Sequence, residues 1–107
     1  MKIKLSSGAE RDIERGIDFY RKIDLDLAVY FNDCISADID SLKLYAGVYA
    51  SVDGWHYTFA NRFPFVIWYG VRGDIAVVYA VLDGRSEPSE SEAILHDRRL
   101  APDSGEP

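Results

Sequence analysis

Two nearly continuous apolar runs, separated by a short polar turn, dominate the hydrophobic pattern of this chain. They cover residues 63–71 and 75–82. Both are rich in β-branched and aromatic residues, which suit a pleated, half-buried surface. Between them, Arg72, Gly73 and Asp74 supply the turn, and the glycine is free to take a positive φ. The pattern predicts a central β-hairpin covered on at least one face, and only upstream segments are candidates for the cover.

Upstream of this hairpin, apolar positions recur at helical spacing. The S-x-x-E sequence that begins at Ser7 has the form of a capping box. An apolar stripe that starts at Ala9 then predicts an amphipathic helix to about Arg21. Asp24 can cap a second helix, whose stripe runs from residue 25 to about 45 or 48. Because only three or four residues separate the two helices, they should form an antiparallel hairpin.

The remaining segments complete a predicted β-α-α-β-β-β order. Residues 1–5 alternate charged and apolar side chains, which predicts a short edge strand, and residues 55–60 have strand composition. The order indicates an α+β fold in which the helical hairpin packs on one face of a small antiparallel sheet. Residues 1–88 are predicted to form the domain. Residues 89–107 should be an acidic C-terminal extension, with a short helix followed by a disordered tail.

Composition restricts the location and the partners. The chain has 107 residues, of which 48% are hydrophobic, and its one cysteine fits a reducing compartment. With no apolar segment long enough to span a membrane and no signal-peptide pattern, a cytoplasmic location without membrane association is expected. A net charge of −6 argues against sequence-independent binding of nucleic acid. No direct sequence-specific DNA binding is expected either.

The common catalytic and metal-binding patterns are missing from the sequence. His56 and His96 lie in separate elements, without cysteine or carboxylate at metal-ligand spacing. Cys34 lies near the apolar stripe of the second helix, where a buried thiol is more typical than a nucleophile. Three carboxylates of the first helix are interpreted as a solvated helix face: Asp12, Glu14 and Asp18. No metal site and no cofactor are expected.

Arginines are the stronger candidates for a binding site. Arg62 precedes the first long strand and Arg85 follows the second, so antiparallel pairing should bring both to one end of the sheet, beside Asp83. Arg72, in the turn, should lie at the opposite end. The simple interpretation is that Arg62 and Arg85 pair with Asp83 or with carboxylates of the extension. The alternative is a site for an anion or an acidic partner, because converging guanidiniums repel unless a negative group lies between them.

Two consecutive motifs of the central hairpin carry a resemblance to a known family. The first is Arg62-Phe-Pro-Phe-Val-Ile-Trp-Tyr69, and the second runs from Asp74 through Val-Leu-Asp-Gly-Arg85 to Pro88. In this order, and preceded in the sequence by a similar helical hairpin, they resemble RelE/ParE-family toxins of bacterial type II toxin–antitoxin systems. The resemblance covers about residues 1–88 and implies the same α+β fold.

The resemblance implies two alternative activities. ParE-like members inhibit DNA gyrase without an evident catalytic set, whereas RelE-like members cleave mRNA on the ribosome with basic residues and often a C-terminal tyrosine or histidine. Arg62 and Arg85 match the family's arginines, but Ser86 and Glu87 stand where a second arginine and an aspartate are more usual, and no tyrosine follows Leu82. Together with the acidity of the chain, these differences favour a ParE-like gyrase inhibitor. The alternatives are an mRNA endonuclease with Arg62 and Arg85 as catalytic residues, and a non-toxic binding module.

The resemblance also implies a cognate antitoxin as partner. Such a partner is expected to lay an extended or helical segment along the helical hairpin and the sheet. Aromatic residues are typical anchors of protein interfaces. The predicted antitoxin-binding residues are Tyr20, Tyr45, Tyr49 and Trp55. For Tyr20, a position in the core is the favoured interpretation.

Overall fold

A computed structural model describes residues 1–46, 51–52, 55–85 and 87–100, which build a sheet with helices on both faces. The elements in chain order are β1 (Lys2–Leu5), α1 (Ser7–Arg21), α2 (Leu25–Asp40), α3 (Leu42–Tyr45), β2 (Ser51–Val52), β3 (Trp55–Phe59), β4 (Phe65–Arg72), β5 (Ile75–Asp83) and α4 (Pro88–Leu100). Within these ranges the strands form one sheet in the order β1-β5-β4-β3-β2. The predicted α+β fold is confirmed.

β4 and β5 form the long central hairpin that the apolar runs predict. They pair antiparallel from Phe65 opposite Asp83 to Arg72 opposite Ile75. Gly73 in the turn has a φ of 59°, a conformation that residues with a Cβ rarely adopt. β1 is an edge strand, as predicted, but it pairs with β5 in parallel, so the prediction of an antiparallel sheet is wrong for this pair. The sheet is therefore mixed, because the helices α1 to α3 and the strands β2 to β4 separate β1 from β5 in the chain and bring β5 back in the direction of β1.

The N-terminus of α1 differs by one residue from the prediction. The helix is capped by Ser6, whose Oγ accepts a hydrogen bond from the Ala9 N–H at 3.1 Å, and not by Ser7. The Ser6 hydroxyl also donates to the Tyr79 carbonyl of β5 at 3.3 Å. The buried Ser6 thus lies between the end of β1 and the start of α1 and binds to both the helix and β5. The local S-x-x-E pattern does not reveal this position.

The second helix begins as predicted and ends earlier. Asp24 caps α2 through a long hydrogen bond of 3.4 Å from the Asp26 N–H. The helix ends at Asp40, and a separate short helix, α3, follows, where the sequence predicted one helix to residue 45 or 48. At the break, the Ser41 hydroxyl donates to the Asp38 carbonyl at 2.6 Å. Such a local bond competes with the backbone ladder of the helix.

Two apolar clusters lie on opposite faces of the sheet. On the inner face, the α1–α2 hairpin packs on the sheet as predicted. The largest fully buried side chains of this inner cluster include Phe31 and Ile35 of α2 and Tyr69 of β4. On the outer face, Leu95 of α4 packs with Trp55, Val77, Tyr79 and Ala80. The predicted tail beyond residue 100 lies outside the described residues. No helix in the described ranges is both long and apolar enough to cross a membrane.

Candidate functional site at the end of the central hairpin

The Asp83–Arg85 pair lies immediately after β5. Arg85 Nη2 donates to Asp83 Oδ2 at 2.8 Å, and its Nε and backbone N–H donate to Oδ1 at 3.1 and 2.8 Å. The Gly84 N–H between them donates to the Pro64 carbonyl at 2.7 Å, which holds this turn against the start of β4. The side-chain hydrogen bond from Arg85 lowers the pKa of Asp83, and the same bond raises the pKa of Arg85. The pair is therefore charged and preorganised at the surface.

A groove of about 250 Å³ opens beside this pair, between α1 and the end of β5. Phe19 and Tyr20 of α1 form part of its wall, with Arg85 and Asp83 opposite. Burial raises the pKa of the Tyr20 phenol, a smaller effect of Arg85 lowers it, and a still smaller effect of Asp83 raises it. Tyr20 therefore stays protonated at neutral pH. The groove offers apolar contact and a neutralised guanidinium, which suits binding better than proton abstraction.

Arg62 lies at the same end of the sheet without joining this pair. The register places Phe65 opposite Asp83, so the loop that contains Arg62 flanks the end of β5, as the sequence predicted. Arg62 is exposed, and the ion pair of Asp83 within the described part of the chain is with Arg85. Arg72 lies at the opposite end, also as predicted. The simple interpretation paired both arginines with Asp83 or with carboxylates of the extension. Arg85 pairs with Asp83, and Arg62 does not.

The interpretation of Asp12 as a solvated residue is wrong. It is 5% exposed. Its Oδ2 accepts hydrogen bonds from the Val81 N–H at 2.9 Å and from Arg98 Nη1 at 2.6 Å, and its Oδ1 accepts from Arg98 Nη2 at 2.8 Å. Arg98 Nη1 also donates to the Tyr79 carbonyl at 2.8 Å. Since β1 ends at Leu5, Asp12 and Arg98 take the place of a neighbouring strand for these backbone groups of β5.

Neither the two histidines nor the cysteine belongs to the lining of the groove. His56 stacks on Tyr69 with ring centroids 5.4 Å apart, and His96 lies on α4. Cys34 is a free, partly buried thiol on α2. Among the residues that the structure describes, no three His, Cys, Asp or Glu side chains are grouped to hold a metal ion.

The predicted antitoxin-binding residues occupy different environments. Tyr20 and Trp55 are each 8% exposed and offer a partner little surface. Tyr20 packs against Phe31 with ring centroids 5.0 Å apart, in agreement with the core interpretation. Tyr45 is 48% exposed, and Tyr49 lies outside the described residues.

Sequence reasoning missed an exposed apolar surface around the α1–α2 connection, which we call the hairpin patch. Its five side chains are between 47% and 64% exposed: Phe19, Ile23, Leu25, Val29 and Tyr30. The available signal was the apolar residues Ile23 and Leu25 on either side of the capping aspartate, in a turn where polar residues are the rule. Exposed apolar surface of this kind is typical of interaction sites.

Comparisons with known proteins identify the fold. No family model and no curated protein matches the chain. A solved structure described as the chromosomal ParDE TA system from P. aeruginosa contains a chain that aligns with a TM-score of 0.71 at 19% sequence identity. The alignment covers 78% of this chain and 95% of that chain. This chain therefore has the fold of a chain from a ParDE toxin–antitoxin structure, as its resemblance to RelE/ParE toxins predicted.

Proposed function

We propose that this protein is the toxin of a type II toxin–antitoxin system, that it inhibits DNA gyrase in the manner of ParE-like toxins, and that a cognate antitoxin neutralises it. The observation that carries the proposal is the shared fold with the ParDE chain, over almost the whole length of that chain. The motifs between Arg62 and Pro88 support it from the sequence.

The hairpin patch supports the existence of a protein partner. An amphipathic segment of an antitoxin that lies along α1 and α2 would cover apolar side chains such as Leu25 and Val29, which are 62% and 54% exposed. At about 25 cal/mol per Å² of apolar surface, burial of several such side chains contributes a large share of a binding free energy. We place the main antitoxin contact on this patch, with Tyr45 as the exposed member of the aromatic set singled out in the sequence.

The chemistry of the groove supports gyrase inhibition over mRNA cleavage. Cleavage through a ribose 2′-OH needs a base, an acid and a cation placed together. Here Arg85 is neutralised by Asp83, and burial disfavours ionisation of Tyr20. A ribosome-dependent endonuclease that uses Arg62 and Arg85 is the second candidate, since both arginines lie at one end of the sheet.

The test is induction of this chain in a bacterial host, followed by viable counts and by supercoiling assays with purified gyrase. We expect loss of viability, rescue by the cognate antitoxin, and inhibition of supercoiling in vitro. Growth arrest with normal supercoiling and cleaved mRNA would instead support the endonuclease. Normal growth with the protein present in soluble form would leave the non-toxic binding module.

Matched variants separate the target site from the antitoxin site. Arg85→Ala should abolish mRNA cleavage if the protein is an endonuclease, with Arg72→Ala, at the other end of the hairpin, as control. Val29→Asp in the hairpin patch should retain toxicity and lose rescue by the antitoxin. Glu14→Gln on the exposed face of α1 should retain both, and loss of rescue in this control would contradict the assignment of the patch.

A further inference from the structure

A second cavity, the outer cleft, lies between α4 and the outer face of the sheet. Its volume is about 640 Å³, within the range of roughly 300–1,000 Å³ that is usual for ligand pockets. The sheet contributes the indoles of Trp55 and Trp68 and the aliphatic side chains of Val66 and Leu82. Across from them, α4 contributes Glu92, with serine hydroxyls and an imidazole nearby. Because Trp55 is 8% exposed, Trp68 supplies most of the accessible aromatic surface, and the cleft combines it with a polar rim.

The charges in the outer cleft favour a cation. The described residues of its lining include the carboxylates of Asp83 and Glu92 and the imidazole of His96, and none of these described residues is a lysine or an arginine. Asp83 already holds Arg85. Glu92 is exposed, and none of the ion pairs found in the described ranges involves it. A net charge of −6 for the whole chain adds a long-range attraction for positive groups.

The aromatic surface extends beyond the cleft itself. The Tyr57 ring packs 5.3 Å from Trp68 and 5.8 Å from Phe59, measured between centroids, and Phe59 is 69% exposed. This strip of β3 is too long for one small cation to cover. A polypeptide segment can cover the strip and place one side chain in the cleft.

We propose that the outer cleft binds an arginine side chain presented by an extended segment of a partner protein. A guanidinium stacks on indole faces more favourably than a lysine ammonium does. Its methylene stem packs on Val66 and Leu82, while its N–H groups donate to Glu92. This site lies on the sheet face opposite the α1–α2 hairpin and does not depend on the proposed toxin function.

The structure holds both walls of the outer cleft in place. Leu95 of α4 is 5% exposed against the sheet. One turn further along the helix, Arg98 makes its two hydrogen bonds to the buried carboxylate of Asp12. Because α4 is anchored at these two residues, the cleft exists before a ligand binds, and little ordering of the protein opposes binding.

Tryptophan fluorescence tests the proposal directly, since the only two tryptophans of the chain both line the cleft. The purified full chain is titrated with the blocked peptide Gly-Leu-Arg-Leu-Gly and with its citrulline counterpart, which has the same shape without the charge. We expect a saturable change with the arginine peptide and at least about fivefold weaker binding of the citrulline peptide.

Two glutamate variants on α4 make the test specific. Glu92→Gln should weaken arginine-peptide binding about three- to tenfold, and Glu90→Gln, exposed on the same helix but outside the lining, should leave it unchanged. Equal binding of the two peptides, or no saturable change, would overturn the proposal. So would self-association in sedimentation that the peptide reverses, since a second copy would then occupy the cleft.

Discussion

At the scale of the residue, Asp12 shows how burial changes the role of a polar side chain. Its position in the helical pattern is that of a surface residue, yet its carboxylate accepts three hydrogen bonds from Val81 and Arg98. A carboxylate buried in this way is tolerated only when its hydrogen bonds are satisfied. In the described part of the chain, every buried side-chain nitrogen or oxygen has a partner. Asp12 therefore joins α1, β5 and α4 in one contact.

Asp12→Ala should lower the free energy of unfolding by about 2–4 kcal/mol. The Val81 N–H then stays buried without its acceptor, and Arg98 loses both oxygens. Urea denaturation followed by circular dichroism measures the loss. The control is Asp18→Ala, which removes an exposed pair with Arg21 on the same helix and should cost less than about 1 kcal/mol. Equal losses in the two variants would contradict the buried role of Asp12.

At the scale of the element, the helical hairpin depends on a close approach between α1 and α2. A Cβ added to Gly16 of α1 would lie 2.5 Å from Cζ of Phe31, a fully buried ring of α2. Real Cβ atoms essentially never come so close, so the ring or a helix has to move. The periodicity of the sequence predicted both helices and their antiparallel arrangement. It did not reveal this contact, because the apolar stripe does not specify how near the two backbones pack.

Gly16→Ala should destabilise the protein, although alanine is the better helix former. The intrinsic gain is about 1 kcal/mol. Overpacking against a fully buried ring costs about 1–3 kcal/mol. We expect the clash to dominate and thermal unfolding to shift downward by several degrees. Glu14→Ala, on the exposed face of α1, provides the control, and an unchanged or higher Tm for Gly16→Ala would show that Phe31 adapts without cost.

At the scale of the whole molecule, the two apolar clusters share the central hairpin as their common wall. The inner cluster contains Ile67 and Val78, and the outer cluster contains Val77 and Ala80. Strands covered on both faces read as nearly continuous apolar runs, which is the pattern from which the hairpin was predicted. The stability of the molecule also depends on pH, because Asp83 and Tyr20 lie near one end of this hairpin and have shifted pKa values.

The pH dependence of stability should be steepest at the two extremes. The pKa of Asp83 is lowered in the folded protein, so its stabilising contribution is present above the ordinary aspartate range and is lost as pH falls through the folded pKa. The pKa of Tyr20 is raised, so its contribution is present below about pH 10 and is lost at higher pH, because the unfolded state releases the proton first.

Urea denaturation at several pH values checks both signs. The stability difference between the unmodified chain and Asp83→Asn should shrink below about pH 4. The alkaline loss of stability should be smaller in Tyr20→Phe, with Tyr30→Phe on the exposed hairpin patch as control. An alkaline profile that is identical with and without the Tyr20 hydroxyl would contradict the role of its burial.

The sequence by itself determined β1, the two long helices and their antiparallel arrangement, the central hairpin, the placement of Arg62 and Arg85 at one end of the sheet, and the resemblance to RelE/ParE toxins. These properties depend on local periodicity, turn residues and antiparallel geometry, which neighbouring residues encode. Only the tertiary structure decided the parallel pairing of β1 with β5, the burial of Asp12 by Arg98, the hairpin patch and the outer cleft. The physical reason is that each depends on contacts, or on missing contacts, between segments far apart in the chain, and no local pattern records which surfaces meet.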